Sequence, residues 1–202
     1  MTRIAVVSAG LSQPSSTRLL ADQLAAAVER ALPGVEIDVV ELRDLAHDVT
    51  NNLLTGFPSA ALRAVLDRVA AADALIAVTP VYRASYNGLF KSFFDVLDED
   101  ALRNKPVLLG ATGGTARHSL AIEHAIRPLF GYLHALTVPT AVFAASSDWG
   151  SGGGTEGGSD ALSSRIRQAG EELADLLAHR SAPAPADPFA NPIPFEDLLY
   201  DR

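Results

Sequence analysis

Ile4-Ala5-Val6-Val7-Ser8-Ala9-Gly10-Leu11-Ser12-Gln13-Pro14-Ser15-Ser16-Thr17-Arg18 runs from four apolar residues, through a polar turn, into a helical pattern that begins near Ser16. A buried strand followed by a helix N-terminus presents unpaired backbone N–H groups, and the helix dipole there favours an anion. Ser12, Ser15, Ser16 and Thr17 add hydroxyl donors, and Gln13 adds an amide. The loop has no Lys for a G-x-x-x-x-G-K-[ST] phosphate loop, and its lone Gly10 cannot supply the G-x-G-x-x-G that admits a dinucleotide pyrophosphate. A single terminal monophosphate fits better. The plainer alternative is a helix cap, because Ser and Thr commonly end turns and start helices.

Working outward, short apolar runs bounded by turn residues recur at 4–7, 35–40, 74–78, 107–111 and 138–145, each β-branched enough to read as a buried strand. Helical patterns lie between them, at 16–31, 59–72, 86–97 and 119–136, with a last one near 160–179. This alternation predicts an α/β fold with a five-stranded parallel sheet covered on both faces, its crossovers right-handed. Residues 44–58, with Asn51-Asn52 and Gly56, read as a loop of low regularity reaching over a cleft or a partner chain. From Ser146 to Ser159 the chain turns Gly- and Ser-rich and reads as a flexible loop. Beyond His179 it is Pro-rich with scattered apolar residues.

The bulk numbers narrow the classes of function. With 202 residues, 48% of them hydrophobic, the chain is long enough for one domain with a full core. No apolar run approaches the roughly 18 residues of a membrane span, and no secretory leader is legible at the N-terminus, so a soluble cytoplasmic protein is expected. Zero cysteines exclude disulfides, thiolate metal sites and cysteine catalysis, and five scattered His leave little for a metal. A net charge of −8 argues against nucleic acid and anionic membranes as partners.

In an open parallel sheet the ligand lies beyond the carboxyl ends of the strands, where the strand order switches. The loops after the first, third and fourth strands therefore matter most. The second reads Thr79-Pro80-Val81-Tyr82-Arg83-Ala84-Ser85-Tyr86-Asn87-Gly88-Leu89-Phe90-Lys91, with Pro80 to stiffen the exit and Tyr82 to offer a flat ring. The third reads Ala111-Thr112-Gly113-Gly114-Thr115, where paired glycines let backbone N–H groups approach a planar heterocycle. Taken singly, Tyr82 and Tyr86 read as rim residues and the glycines as a turn.

Together the loops resemble the NAD(P)H-dependent FMN reductases of the flavodoxin-like superfamily, especially the branch that serves two-component, luciferase-like or alkanesulfonate monooxygenases. The resemblance rests on Pro14-Ser15-x-Thr17-Arg18, on Thr79-Pro80-Val81-Tyr82-Arg83-Ala84-Ser85-Tyr86-x-Gly88-x-x-Lys91-x-x-x-Asp95, on Ala111-Thr112-Gly113-Gly114-Thr115 and on Ala121-Ile122-Glu123-His124-Ala125-Ile126-Arg127-Pro128. It covers about residues 3–145, the second stretch being the most specific.

The resemblance implies a flavodoxin-like three-layer sandwich over 1–180, with sheet order 2-1-3-4-5 and a Pro-rich tail at 181–202. It implies FMN as flavin and NADPH or NADH as reductant, with hydride transfer at the flavin rather than at a protein nucleophile. Ser12, Gln13, Ser15, Ser16 and Thr17 would hold the phosphate, Pro80, Val81, Tyr82 and Arg83 would line the ring, and Thr112, Gly113, Gly114 and Thr115 would bond its pyrimidine side. It implies a homodimer or homotetramer, and a monooxygenase receiving reduced FMN. Leu11 and Gln13 stand where relatives carry Ser and Arg, which points to a lighter hold on the phosphate. His124 stands where some relatives carry a Tyr associated with a π-bulge, an ordinary interface histidine being the plainer reading. Two other readings remain: a quinone, azo or metal reductase with tightly bound FMN, and a flavodoxin-type electron carrier.

Overall fold

The structure is a computed structural model that describes residues 1–149 and 158–179. The Gly-rich run between 150 and 157 and the Pro-rich tail lie outside the described residues. Seven strands form one sheet: β1 (Arg3–Ser8), β2 (Glu36–Glu41), β3 (Ala74–Tyr82), β4 (Ser85–Tyr86), β5 (Pro106–Gly113), β6 (Leu136–Thr137) and β7 (Val142–Ala145). The order is β2-β1-β3-β5-β6, with β7 also on β5 and β4 turned back on β3. Every pairing but β3–β4 is parallel. This is the doubly wound flavodoxin-like arrangement, with the order reversing beside β1.

The expected fifth strand at 138–145 forms only over β7, and β6 stands just before it, at the end of the stretch expected to be helical. Leu136 and Val138 donate to the Lys105 and Val107 carbonyls at 2.9 Å, but the Thr140 N–H, next in that alternation, is taken by Glu172 Oε2 at 2.7 Å, and the chain leaves the ladder there. The hairpin strand β4 is a further addition, two residues long and beyond the reach of a periodicity argument.

Helices α1 (Ser16–Ala31), α2 (Ala46–Thr55), α3 (Ala60–Ala71), α4 (Gly88–Asp95), α5 (Arg127–Tyr132) and α6 (Gly158–Ala178) cover the sheet. On one face Leu20, Leu24 and Val28 of α1 and Leu162, Ile166 and Leu173 of α6 pack on Ile4, Val6, Ile76 and Leu108. On the other, Leu62 and Leu66 of α3, Phe90, Phe93 and Phe94 of α4, and Phe130 of α5 pack on Ala5, Val7, Leu75 and Leu109. The alternation along β1 is the period of two that sends neighbours to opposite faces of a sheet buried on both sides.

Two expectations are corrected here. The segment 44–58 is not irregular: a short 3-10 turn, Leu42–Leu45, leads into α2, whose Val49 and Asn52 are buried. Gly56 is its C-cap, with φ 78° and its N–H on the Asn52 carbonyl, so the residues that suggested a loop are the stop signal of a helix. The helix at 119–136 is also broken up. A 3-10 turn at Ala116–His118 precedes a π-helical turn at Ile122–Ile126, closed by the Arg127 N–H on the Ile122 carbonyl, and α5 ends at Tyr132.

Arg127 fastens that bulge to the break between β6 and β7. It holds the Glu123 carboxylate through Nε at 2.7 Å and Nη2 at 3.0 Å. It also donates to Thr137 Oγ1, Val138 O and Pro139 O at 2.9, 3.0 and 3.1 Å. The hydrogen bond from Arg127 holds the Glu123 carboxyl below its ordinary pKa against the opposing cost of burial.

The two helices on the β1 face touch at Gly170. A Cβ added there would lie 2.7 Å from Ala27 Cβ and 2.9 Å from the Ala27 carbonyl carbon. A mid-helix Gly ordinarily costs about 1 kcal/mol relative to Ala. Here the sign reverses, because α1 and α6 must move apart to admit a methyl. Gly170→Ala is expected to destabilise by about 1–3 kcal/mol, read as a fall of several degrees in melting temperature; a rise would show that the helices are not in contact.

Candidate functional site

The first loop leaves the sheet at Ala9, whose N–H bonds the Val78 carbonyl of β3 at 2.9 Å. It turns through Gly10, where an added Cβ would strike Ser15 Oγ at 2.1 Å, so only Gly lets the loop close on itself. Ser15 is the N-cap of α1, its hydroxyl accepting from the Arg18 N–H at 3.2 Å. The cap reading therefore holds for the Ser15 side chain. It leaves the N–H groups of Ser16 and Thr17 without intrahelical acceptors, which is the donor set an anion meets at a helix start. Ser12, Gln13 and Ser16 are exposed around it.

Arg18 does not face the loop. Its guanidinium holds Asp22 at 2.7 Å and is also paired with Glu41, and the hydrogen bond to Asp22 pushes its pKa up further. Arg43, just past β2, sits beside Gln13: with the carboxamide oxygen turned toward it, Nη1 and Nη2 both donate at 3.2 Å. Arg43 also pairs with Asp44 at 3.4 Å. Sequence reasoning missed Arg43, although a cation at the carboxyl end of the strand next to β1 is a readable signal.

Pro80 is buried within β3, Val81 is half-buried, and Tyr82 and Arg83 are exposed. The second loop is a β-hairpin in which Tyr82 pairs with Ser85 and Val81 with Tyr86. Its two turn residues, Arg83 and Ala84, both have positive φ, 51° and 68°. That is the type I′ geometry of two-residue hairpins, usually given to Asn-Gly. With side chains present it costs roughly 1–2 kcal/mol per residue. The strained turn projects Arg83 and leaves Tyr82 standing clear at the end of β3.

The third loop follows β5. Thr112 is buried and pairs in register with Pro80, while Gly114 and Thr115 are exposed. Gly113 is required from below, since a Cβ there would meet Phe143 Cζ at 2.8 Å. At Gly114 that position opens on free space, so this glycine is where a ligand could approach the backbone.

The three loops are joined by side-chain hydrogen bonds. Thr17 Oγ1 and Thr112 Oγ1 lie 2.8 Å apart and buried, tying the first helix to the third loop. The Thr17 hydroxyl is thus tied to Thr112, and the Thr17 backbone N–H, with no intrahelical acceptor, remains for an anion. Asn87 Nδ2 donates to the Ala9 carbonyl at 2.7 Å, tying the second loop to the first. Asn87 was the unassigned position in the second motif; an Asn directly before a helix start is an N-cap signal that could have drawn notice. Arg117 and His118 are exposed in the 3-10 turn beyond.

A concavity of about 340 Å³, lined in part by Thr2, Asp73, Asp100, Arg103 and Lys105, lies at the opposite end of the strands. Its cations serve the fold: Lys105 Nζ donates to the Val69 and Ala70 carbonyls at the end of α3, both at 2.7 Å, and Arg103 pairs with Asp100 at 2.6 Å.

The sheet order, with a capped helix start at the switch of strand order, defines an α/β protein of flavodoxin type. The model of the NADPH-dependent FMN reductase family matches residues 2–150, and the chain belongs to that family. Membership makes it an oxidoreductase that uses NAD(P)H and FMN. The chain is 41% identical over 179 residues, 89% of its length and 94% of the relative's, to an FMN reductase (NADPH) of Pseudomonas aeruginosa. It is 39% identical over 181 residues, 90% and 95% of the two lengths, to an NADH-dependent FMN reductase, SfnF, of Pseudomonas fluorescens. Among solved structures it resembles an oxidoreductase of Corynebacterium diphtheriae, with a TM-score of 0.84, 42% identity and coverage of 90% and 99% of the two chains.

The Thr17–Thr112 pair can be tested by a mutant cycle. Thr112→Val leaves the Thr17 hydroxyl buried without a partner and should cost about 1–3 kcal/mol. The double variant Thr17→Val/Thr112→Val removes both groups and should recover most of that loss in denaturant unfolding. Additive losses would mean that the two hydroxyls do not depend on each other.

Proposed function

We propose that the chain reduces FMN with NAD(P)H at the carboxyl ends of β1, β3 and β5 and passes the reduced flavin to a partner monooxygenase. The observation that carries this is the stitching of a phosphate-type helix start to the two other loops through Thr17–Thr112 and Asn87–Ala9. When bound, FMN supplies the redox chemistry, and the protein contributes no acid, base or nucleophile.

In this reading the N–H groups of Ser16 and Thr17, with Ser12 and Gln13, hold the phosphate. Pro80 and Val81 form the floor under the ring and Tyr82 its flank, while Arg83 offers charge to the incoming nicotinamide. The backbone from Thr112 to Thr115, open at Gly114, donates to the pyrimidine side and favours negative charge there. The grip on phosphate is light, because Arg18 is spent on Asp22 and Glu41 and Arg43 is shared between Asp44 and Gln13. A flavin held mainly by neutral donors dissociates readily, as delivery to another enzyme requires. The name SfnF belongs to a relative 39% identical, and the P. aeruginosa relative of similar identity is named for NADPH, so both nicotinamides enter the assay.

Assembly as a homodimer or homotetramer belongs to the same proposal. Its candidate surfaces are Leu120 and Tyr132 around the π-helical turn and Leu54 and Phe57 at the end of α2, all exposed.

The test is oxidation of NADPH and of NADH by purified protein with added FMN. Turnover that saturates with FMN, from protein that purifies colourless, is the expected result. A yellow protein reducing quinones or azo dyes without added flavin would favour the tightly bound alternative, and flavin binding without nicotinamide turnover would favour an electron carrier. Gly10→Ala, which drives a methyl into Ser15 Oγ, should raise the KM for FMN about tenfold or more by spoiling the helix start.

A further inference from the structure

Asn87 is 2% exposed and, beside accepting the Lys91 N–H on its carbonyl at 3.3 Å, makes three hydrogen bonds that each reach a different part of the molecule. Its Oδ1 accepts from the Phe90 N–H at 2.8 Å and caps α4. Its Nδ2 donates to the Ala9 carbonyl at 2.7 Å, across 78 positions of sequence. Its own N–H donates to Thr79 Oγ1 at 3.2 Å, and that hydroxyl donates to the Pro80 carbonyl at 3.1 Å.

The cap by itself does not call for Asn. Ser, Thr and Asp cap equally well with an oxygen alone. The amide nitrogen is needed only for Ala9, a fully buried residue whose N–H is already committed to Val78 and whose carbonyl would otherwise be an orphan. A Ser or Thr hydroxyl both donates and accepts, but from one atom close to the backbone; Asn places the acceptor for the cap and the donor for the tether on two separate atoms of one planar amide.

We propose that Asn87 is the positioning residue that sets the phosphate loop relative to the ring-binding loop. It touches no ligand; it fixes Ala9, from which the Gly10–Ser15 turn departs, against the root of the hairpin that carries Pro80 to Arg83. A flavin mononucleotide spans both loops, so its affinity depends on their separation being held. Riboflavin lacks the phosphate and depends on the ring loops alone. The proposal rests on the reading of these loops as an FMN pocket.

The experiment compares the KM for FMN with that for riboflavin, under saturating nicotinamide, in the parent and in Asn87→Asp and Asn87→Ser. Both variants retain an oxygen for the α4 cap. Asp has no donor for Ala9, and Ser keeps its hydroxyl on a shorter side chain that withdraws the donor from the place Nδ2 holds. Either one that folds decides the question. The expected result is a preference for FMN over riboflavin that falls about tenfold, with kcat on riboflavin kept near that of the parent. Equal weakening toward both flavins, or an unchanged preference, overturns the proposal, since a merely structural loss would not distinguish the two ligands. A parent with no preference for FMN would overturn the pocket reading itself, and that failure shows before any variant is made.

Discussion

The peptide unit at Ala9 is pinned from both sides. Its N–H is the last rung between β1 and β3, and its carbonyl is taken by Asn87 from the next loop. Between these bonds the chain leaves the sheet at one place and in one direction, and Gly10, the Ser15 cap and the first turn of α1 follow from it. A strand that frayed at this point would carry the helix start with it. The buried Thr17–Thr112 contact then fixes the other side of that turn to β5, so three neighbouring strands share one rigid rim.

The rim explains how a protein with no metal cluster among its described residues can be an enzyme. Two carboxyls with shifted titration lie away from the rim and serve the fold: Glu123 under Arg127, and Glu172, where burial opposes but bonds from Thr140 at 2.6 and 2.7 Å prevail. Both carboxyls are held below their ordinary range. Their contribution to stability is full above the unfolded carboxylate pKa and is lost as pH falls through the lowered folded values. In the proposed function the site is built from backbone donors, hydroxyls and glycines, whose task is to place a ligand that brings its own reactivity.

Much of this was readable beforehand, and for identifiable reasons. The strands at β1, β2, β3 and β5 are short apolar runs between turn residues, and α1, α3 and α6 have clear periodicity with Ser caps for the first two. The three loops were legible because Gly, Pro and hydroxyl residues carry local conformational meaning. What escaped notice depended on tertiary facts. Asn51-Asn52 read as turn residues, yet Asn52 is buried inside α2. The break between β6 and β7 goes with the Thr140 N–H being taken by Glu172 of α6, 32 positions away, rather than by β5. The roles of Asn87 and Arg43 depend on partners 78 and 30 positions away, Ala9 and Gln13, and no spacing rule reaches that far.

The break between β6 and β7 has an effect on the outside of the molecule. β6 and β7 together form one margin of the sheet, and their interruption leaves no long run of open backbone groups on that side. The opposite margin, β2, carries Glu36, Asp38 and Glu41, with Asp38 joined to Arg68 at 2.7 Å. Broken on one side and acidic on the other, neither margin is a template for adding a strand from another chain, which is how soluble sheets resist stacking into aggregates. Association with other molecules is thereby directed to the helical faces and to the rim of loops.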